Sequence, residues 1–149
     1  MLSFWFFITL NSNLYTPINK MVDTSVSSLT TVNCNGTVTE AMRHNTVANK
    51  GLFIIAGRVR ISNFERTGAD PGVVYTIPDG YVADGYGSVV TGYCGIGGTP
   101  RTGDCVRVSA TDSSAQINIR LTENLTNVSG TGTAWIVLPP IAIKIKLGT

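Results

Sequence analysis

Few side chains in this sequence of 149 residues could perform covalent or metal chemistry. His44 is the only histidine, and the chain has none of the motifs typical of zinc proteases, serine hydrolases or phosphate-binding loops. Three cysteines stand at positions 34, 94 and 105, and this spacing fits no zinc or redox motif. We therefore expect a binding protein that is not an enzyme and uses no metal or cofactor.

The cysteines leave two alternatives open. Cys94 and Cys105 could form a disulfide across a hairpin, because the segment between them is rich in glycine. Alternatively, Cys34, Cys94 and Cys105 are all reduced and buried, which is the alternative we favour. An odd number of cysteines excludes a disulfide framework that uses every thiol.

The segment from Asp79 to Tyr86, DGYVADGY, concentrates side chains that could bind a sugar. Asp79 and Asp84 offer carboxylate acceptors for a sugar diol, while Tyr81 and Tyr86 offer flat rings with an apolar face. This pattern predicts a saccharide contact. The alternative is that the tyrosines are core or interface residues and that the aspartates form turns.

Further residues could hydrogen-bond to a ligand or stack on it: His44, Arg58, Arg60, Tyr93 and Arg101. His44 could equally be a structural or interface histidine. Arg58 and Arg60 would lie on the outer face of a strand, where they are either solvated or paired with another subunit. Trp135, within the apolar run AWIVL, is predicted to be a core residue rather than a ligand contact.

The composition excludes several classes of partner. The net charge is +2, only 13% of residues are charged, and no run of Lys and Arg occurs, so nucleic-acid binding is not expected. A hydrophobic content of 43% predicts a folded chain, and the length suits one domain. Ser, Thr, Asn and Gly would make up most of the surface.

The N-terminal region differs from the rest of the chain. Residues 1–10, MLSFWFFITL, are apolar but too few to span a membrane, so we expect no stable membrane insertion. They could pack at the foot of an oligomer, be a degenerate secretion signal, or be an artefact of the chain start. Apolar spacing over residues 18–32 suits either a short coiled coil or an extended linker. We therefore divide the chain into an N-terminus and stalk or linker, 1–33, and a head domain, 34–149.

The remainder of the chain shows the alternation of β-strands. Val59 and Ile61 are predicted to face inward, as are Ile117, Ile119 and Leu121. Residues 95–103 are predicted to form a loop, and Pro139-Pro140 to end a core strand over residues 134–138. A further strand over 141–147 is possible. Seven to nine short strands predict an all-β, jelly-roll-like antiparallel sandwich or barrel.

Several segments together resemble the head domain of receptor-binding proteins from tailed phages of Gram-positive hosts such as lactococci. The resemblance rests on GLFIIAGRVRISNF (51–64), RTGADPG (66–72), IPDGYVADG (77–85), the strand pair within 106–121, and TAWIVLP (133–139). Two features depart from that pattern. Ala83 stands where those heads often have a second proline, and the region before residue 33 is too short for a virion-attachment domain.

The resemblance implies a homotrimer at the phage tail tip that binds host cell-surface saccharide without cleaving it. It also implies contacts with other tail or baseplate proteins. Two alternatives remain open. One is a structural virion β-domain without a ligand, and the other is a secreted carbohydrate-binding or tumour-necrosis-factor-like β-sandwich module.

Overall fold

The computed structural model describes residues 20–122 and 131–149, in which it has eleven strands and two short 3₁₀ helices. The strands are β1 (Val22–Asp23), β2 (Leu29–Val32), β3 (Cys34–Glu40), β4 (Arg43–Val47), β5 (Leu52–Arg66), β6 (Gly72–Thr76), β7 (Tyr81–Ala83), β8 (Gly87–Ile96), β9 (Thr99–Ala110), β10 (Gln116–Leu121) and β11 (Gly132–Leu147). The 3₁₀ helices, Val26–Ser28 and Ala48–Lys50, have three residues each. No helix in these ranges is therefore long and apolar enough to cross a bilayer.

The strands form one curled antiparallel sheet, which makes a half-barrel. Its order is β1-β4-β5-β11-β8-β9-β10-β6-β2, and β3 pairs with β5 while β7 pairs with β11. The strands at the two ends of this order, β1 and β2, follow one another in the chain. The predicted all-β barrel or sandwich is confirmed.

Strand alternation places the core on one face of the curled sheet. Val59 and Ile61 of β5 are fully buried, and Ile117 and Ile119 of β10 pack with them in the same apolar cluster. Phe53 is likewise fully buried. The inward faces predicted for β5 and β10 are therefore confirmed.

Two strands within residues 22–32 belong to the sheet. β1 pairs with β4 through Val22 and His44, and β2 pairs with β6 through Leu29 and Tyr75. The coiled-coil alternative is therefore wrong for this stretch, since its frequent Ser and Thr are poor helix formers and Thr30 and Thr31 of β2 suit an edge strand. Residues 1–19, including the apolar segment 1–10, lie outside the described residues.

The loop predicted over residues 95–103 is instead the tip of a hairpin. β8 and β9 meet at Gly97 and Gly98, whose φ angles are +58° and +81°. Two consecutive positive φ angles allow a two-residue turn that matches the twist of paired strands. The prediction failed because glycines that permit a tight turn look the same in the sequence as glycines of an open loop.

The two prolines do not end β11. The strand continues to Leu147, and its register with β5 shifts between Leu138 and Ile141. Its pairing with β8 covers only residues 134–136 against 94–96. Because proline has no N–H to donate, Pro139-Pro140 separates two differently paired halves of one strand.

Candidate functional site

A shallow hollow of about 480 Å³ lies on the outer face of the sheet where β5, β11 and β8 are neighbours. We call it the aromatic hollow. Its lining side chains include Arg58, Arg60, Tyr93, Thr133, Trp135 and Val137. Three of the residues predicted to bind ligand, Arg58, Arg60 and Tyr93, are thus brought together here.

The sheet register explains how residues distant in the chain meet in the aromatic hollow. Arg60 of β5 is paired with Trp135 of β11, and Trp135 is paired with Gly95 of β8. Residues paired directly across neighbouring strands project from the same face. Arg60 therefore lies on one side of the indole, and the bare backbone of Gly95 lies on the other.

Trp135 is a wall of this hollow and not a core residue, so that prediction is wrong. Its neighbours Ala134 and Ile136 are fully buried, and alternation along β11 turns the Trp135 side chain to the opposite, outer face. The side chain is half-buried there. The apolar run around it concealed this alternation in the sequence.

The indole lies against the backbone of Gly95. A Cβ atom added to Gly95 would stand 2.1 Å from Cε2 of Trp135, a distance that no side chain permits. Tyr93 contacts the indole from the side, with ring centroids 5.0 Å apart and planes tilted by 54°. The two rings form an aromatic surface fixed by the strand beneath it.

Charged groups stand beside these rings. The Nη2 atom of Arg58 donates a hydrogen bond to Oε2 of Glu40 at 2.8 Å, and Nε donates to both carboxylate oxygens at 3.1 Å. This hydrogen bonding raises the pKa of Arg58. Arg58 is thus paired within its own chain, whereas Arg60 has no ion-pair partner in the described part of the chain.

The segment Asp79–Tyr86 does not form a single site. Asp79 occupies an exposed turn with a φ angle of +61°, and Tyr81 is half-buried against the core cluster. Asp84 and Tyr86 line a separate cleft of about 430 Å³ between β8 and β11, which we call the β8–β11 cleft. The cleft lies where β11 no longer pairs with β8.

Asp84 belongs to a small ion cluster. Nζ of Lys146 lies 2.9 Å from Oδ1 of Asp112 and 3.6 Å from Oδ1 of Asp84. Hydrogen bonds from Lys146, from the Gly85 N–H and from the Ser113 hydroxyl lower the pKa of Asp112 to about 2. A general acid requires a raised pKa, so Asp112 is unsuited to that role.

His44 and Arg101 line neither the aromatic hollow nor the β8–β11 cleft. The His44 ring stacks on Phe53 with centroids 5.6 Å apart, and its Nδ1 lies 2.7 Å from the hydroxyl oxygen of Thr24. Burial lowers the pKa of His44. Arg101 is exposed on β9, opposite Cys94 in the register.

The three thiols are free and buried, so the bridge between Cys94 and Cys105 is not formed. Burial and a hydrogen bond with Cys105 raise the pKa of Cys94 to about 12. A thiol in this state is a poor nucleophile. Within residues 20–122 and 131–149, no cluster of His, Cys, Asp and Glu could hold a metal ion.

Comparisons with protein-family models, with curated proteins and with solved structures find no match to this chain.

Two residues of the aromatic hollow and its rim, Trp135 and Glu40, were missed by sequence reasoning. The alternation of Trp135 with Ala134 and Ile136 was a usable signal for the first. No local signal could reveal the second, because Glu40 reaches Arg58 only through the pairing of β3 with β5.

Proposed function

We propose that this chain is a non-catalytic saccharide-binding domain, the head of a phage tail receptor-binding protein that acts as a homotrimer. The observation that carries the proposal is the half-buried Trp135 indole, which lies over Gly95 on the outer face and is flanked by Tyr93 and Arg60. The phage and trimer parts rest on the resemblance of the segments described above.

The aromatic hollow supplies both kinds of contact that a sugar requires. A pyranose ring has an apolar face of C–H groups, which packs on the flat face of an aromatic ring. Its hydroxyl groups both donate and accept hydrogen bonds. Arg60 and the Arg58–Glu40 pair offer donors and acceptors at the rim of this surface.

The hollow is shallow, so a single site would bind weakly. Several copies on one rigid assembly would raise the overall affinity through effective concentration, without any additional contact within a site. A homotrimer supplies that multiplicity. We therefore expect the mass measured by light scattering in solution to be that of three chains.

The experiment is binding of the fluorescently labelled full chain to intact host cells and to an array of bacterial glycans. Trp135→Ala should reduce binding at least about tenfold, because it removes the stacking surface. Its circular dichroism spectrum should stay that of a folded β-protein, since the side chain lies on the outer face. Unchanged binding by a folded Trp135→Ala protein would refute the proposal.

Tyr86→Ala is the matched control, because Tyr86 is an exposed aromatic residue that lines the β8–β11 cleft instead of the aromatic hollow. We expect this variant to bind cells and glycans like the unmodified chain. Binding lost in Tyr86→Ala and kept in Trp135→Ala would move the ligand to the β8–β11 cleft.

A second candidate function is a structural virion domain that binds other proteins. Exposed apolar side chains near the β8–β11 cleft favour it: Tyr86 is 74% exposed, Val89 46% and Val90 43%. A surface of this kind is typical of a protein contact. No binding of the trimer to any cell or glycan, together with aggregation relieved by Val90→Ser, would favour this function over the first.

A further inference from the structure

Two arginines stand directly opposite each other on the outer face of β9 and β10. Arg107 and Arg120 are register partners. Each lies between buried residues of its strand, so both side chains project outward on the same side. Like charges directly opposite in a sheet are destabilising. Burial of the core does not require this arrangement, because uncharged polar residues would serve equally on an outer face.

The hydrogen-bond acceptors of Arg120 do not neutralise its charge. Its Nη2 donates to the side-chain oxygen of Asn118 at 3.1 Å, and its Nη1 donates to the backbone carbonyl of Asp70 at 3.4 Å. Both acceptors are neutral. Arg120 is half-buried, and burial lowers its pKa, although a guanidinium remains charged at any ordinary pH.

Asp70 brings a negative charge to the same neighbourhood without forming an ion pair with either arginine in the described chain. Its carboxylate acts on Arg120 through the longer-range electrostatic interaction, and its buried Oδ1 atom has no hydrogen-bond partner among the described residues. Arg107 is exposed and likewise has no ion-pair partner among the described residues. Arg107 and Arg120 against the one carboxylate of Asp70 leave a net positive charge among the described residues of this neighbourhood.

A cavity of about 350 Å³ opens over these two side chains. Its other polar lining residues are Asn33, Asp70, Ser109, Asn118 and Thr122, and Asp70 is the one carboxylate in this lining. We call it the arginine pocket. It shares no lining residue with the aromatic hollow or with the apolar part of the β8–β11 cleft, apart from Ser109 at the border of the latter.

We propose that the arginine pocket binds a tetrahedral oxyanion, a phosphate or sulfate group. Its oxygens point in several directions and can accept hydrogen bonds from guanidinium groups on two different strands at once. The negative charge would offset the repulsion between Arg107 and Arg120. This site is independent of the saccharide function proposed above, because Trp135 and Tyr93 take no part in it.

The test uses the full chain and inorganic phosphate as the probe. Thermal unfolding is followed with increasing phosphate, against sodium chloride at the same ionic strength. Phosphate should raise the melting temperature beyond the effect of chloride, because a ligand that binds only the folded state stabilises it. No phosphate-specific rise would overturn the proposal.

Substitutions of single arginines test whether the phosphate response arises in the arginine pocket. Arg107→Gln should raise the dissociation constant for phosphate about tenfold or more, and Arg120→Gln should act in the same direction. Arg101→Gln is the matched control, since Arg101 is an exposed arginine on the same strand as Arg107 but outside the pocket. Arg107 is exposed, so its variant should fold even if Arg120→Gln does not. An undiminished phosphate response in Arg107→Gln would overturn the proposal.

Two further measurements separate the sources of the oxyanion and the two proposed sites. Glucose 1-phosphate binding more tightly than phosphate would assign the pocket to an esterified sugar, whereas equal binding would assign it to the free anion. Trp135→Ala should keep the full phosphate response. If that variant loses both phosphate and glycan binding, the two sites are one and the arginine pocket is refuted.

Discussion

At the scale of single residues, the surroundings decide what each polar or aromatic group can do. Trp135 lies on the outer face of the sheet, where the ring of Tyr93 contacts its indole. By contrast, the His44 ring is packed against other residues. It stacks on Phe53 and lies near Tyr75, and its Nδ1 contacts Thr24. An imidazole in such a place contributes to packing, and its protonation changes the stability of the folded state.

The burial of His44 predicts a dependence of stability on pH. Its pKa in the folded state lies below the ordinary 6.5, chiefly through burial, so protonation favours the unfolded chain. The stabilisation is complete above pH 6.5 and is lost as the pH falls through the lower pKa of the folded state. Urea unfolding at about pH 7.5 and about pH 5.5 should show lower stability at the lower pH.

His44→Gln is the control for this pH dependence. Glutamine can still hydrogen-bond to the Thr24 hydroxyl, but it does not titrate. The difference in unfolding free energy between the two pH values should shrink in this variant. An identical difference in both proteins would assign the effect to other groups.

At the scale of strands, β11 contributes to two different surface sites because Pro139-Pro140 divides it. The half before Pro139 pairs with both β5 and β8 and carries Trp135. The half after Pro140 still pairs with β5, and its last residues pair with β7. The strand therefore forms the aromatic hollow at one end and leaves the β8–β11 cleft open at the other.

The contact between β8 and β11 predicts the effect of one methyl group. Gly95→Ala would place a Cβ atom where the Trp135 indole lies, so the ring must move off the strand. We expect saccharide binding to fall about tenfold, with an altered near-ultraviolet circular dichroism signal from Trp135. Gly103→Ala is the control, because Gly103 lies outside the hollow and a Cβ there would meet no atom within 4 Å, although its positive φ adds some strain.

Equal loss of binding in Gly95→Ala and Gly103→Ala would mean that strain in the β8–β9 hairpin, and not the indole position, controls the site. If both variants keep saccharide binding while the near-ultraviolet signal of Gly95→Ala changes, the position of the indole does not matter for binding.

At the scale of the whole molecule, the curled sheet begins and ends with strands that the sequence assigned to a stalk. β1 pairs with β4, and β2 pairs with β6. Leu29 of β2 is buried in the core cluster, and Thr24, directly after β1, is also buried. β2 thus covers part of the core, while the two residues of β1 are exposed.

Removing these strands should therefore destabilise the fold. A chain that begins at Thr31 loses β1 and the buried Leu29, and we expect its unfolding free energy to fall by about 2–5 kcal/mol. A chain that begins at Lys20 retains both strands and is the control. Equal urea midpoints for the two truncated chains would show that β1 and β2 contribute nothing to stability.

The sequence by itself determined which residues of each strand face the core. Alternation is local, so Val59, Ile61 and Ile119 could be assigned inward and Arg58 and Arg60 outward without knowledge of any partner strand. The all-β fold followed from the same pattern. Where apolar residues occupy both faces, as around Trp135, the apolar run concealed the alternation and the assignment failed.

Only the tertiary structure decided which outward residues meet. Arg60, Trp135 and Gly95 come from three strands far apart in the chain, and their alignment depends on the register of β5 with β11 and of β11 with β8. In the same way, Arg107 and Arg120 lie opposite each other because of the register of β9 with β10. Register is fixed by burying the inner faces of all strands together, so no single segment encodes it.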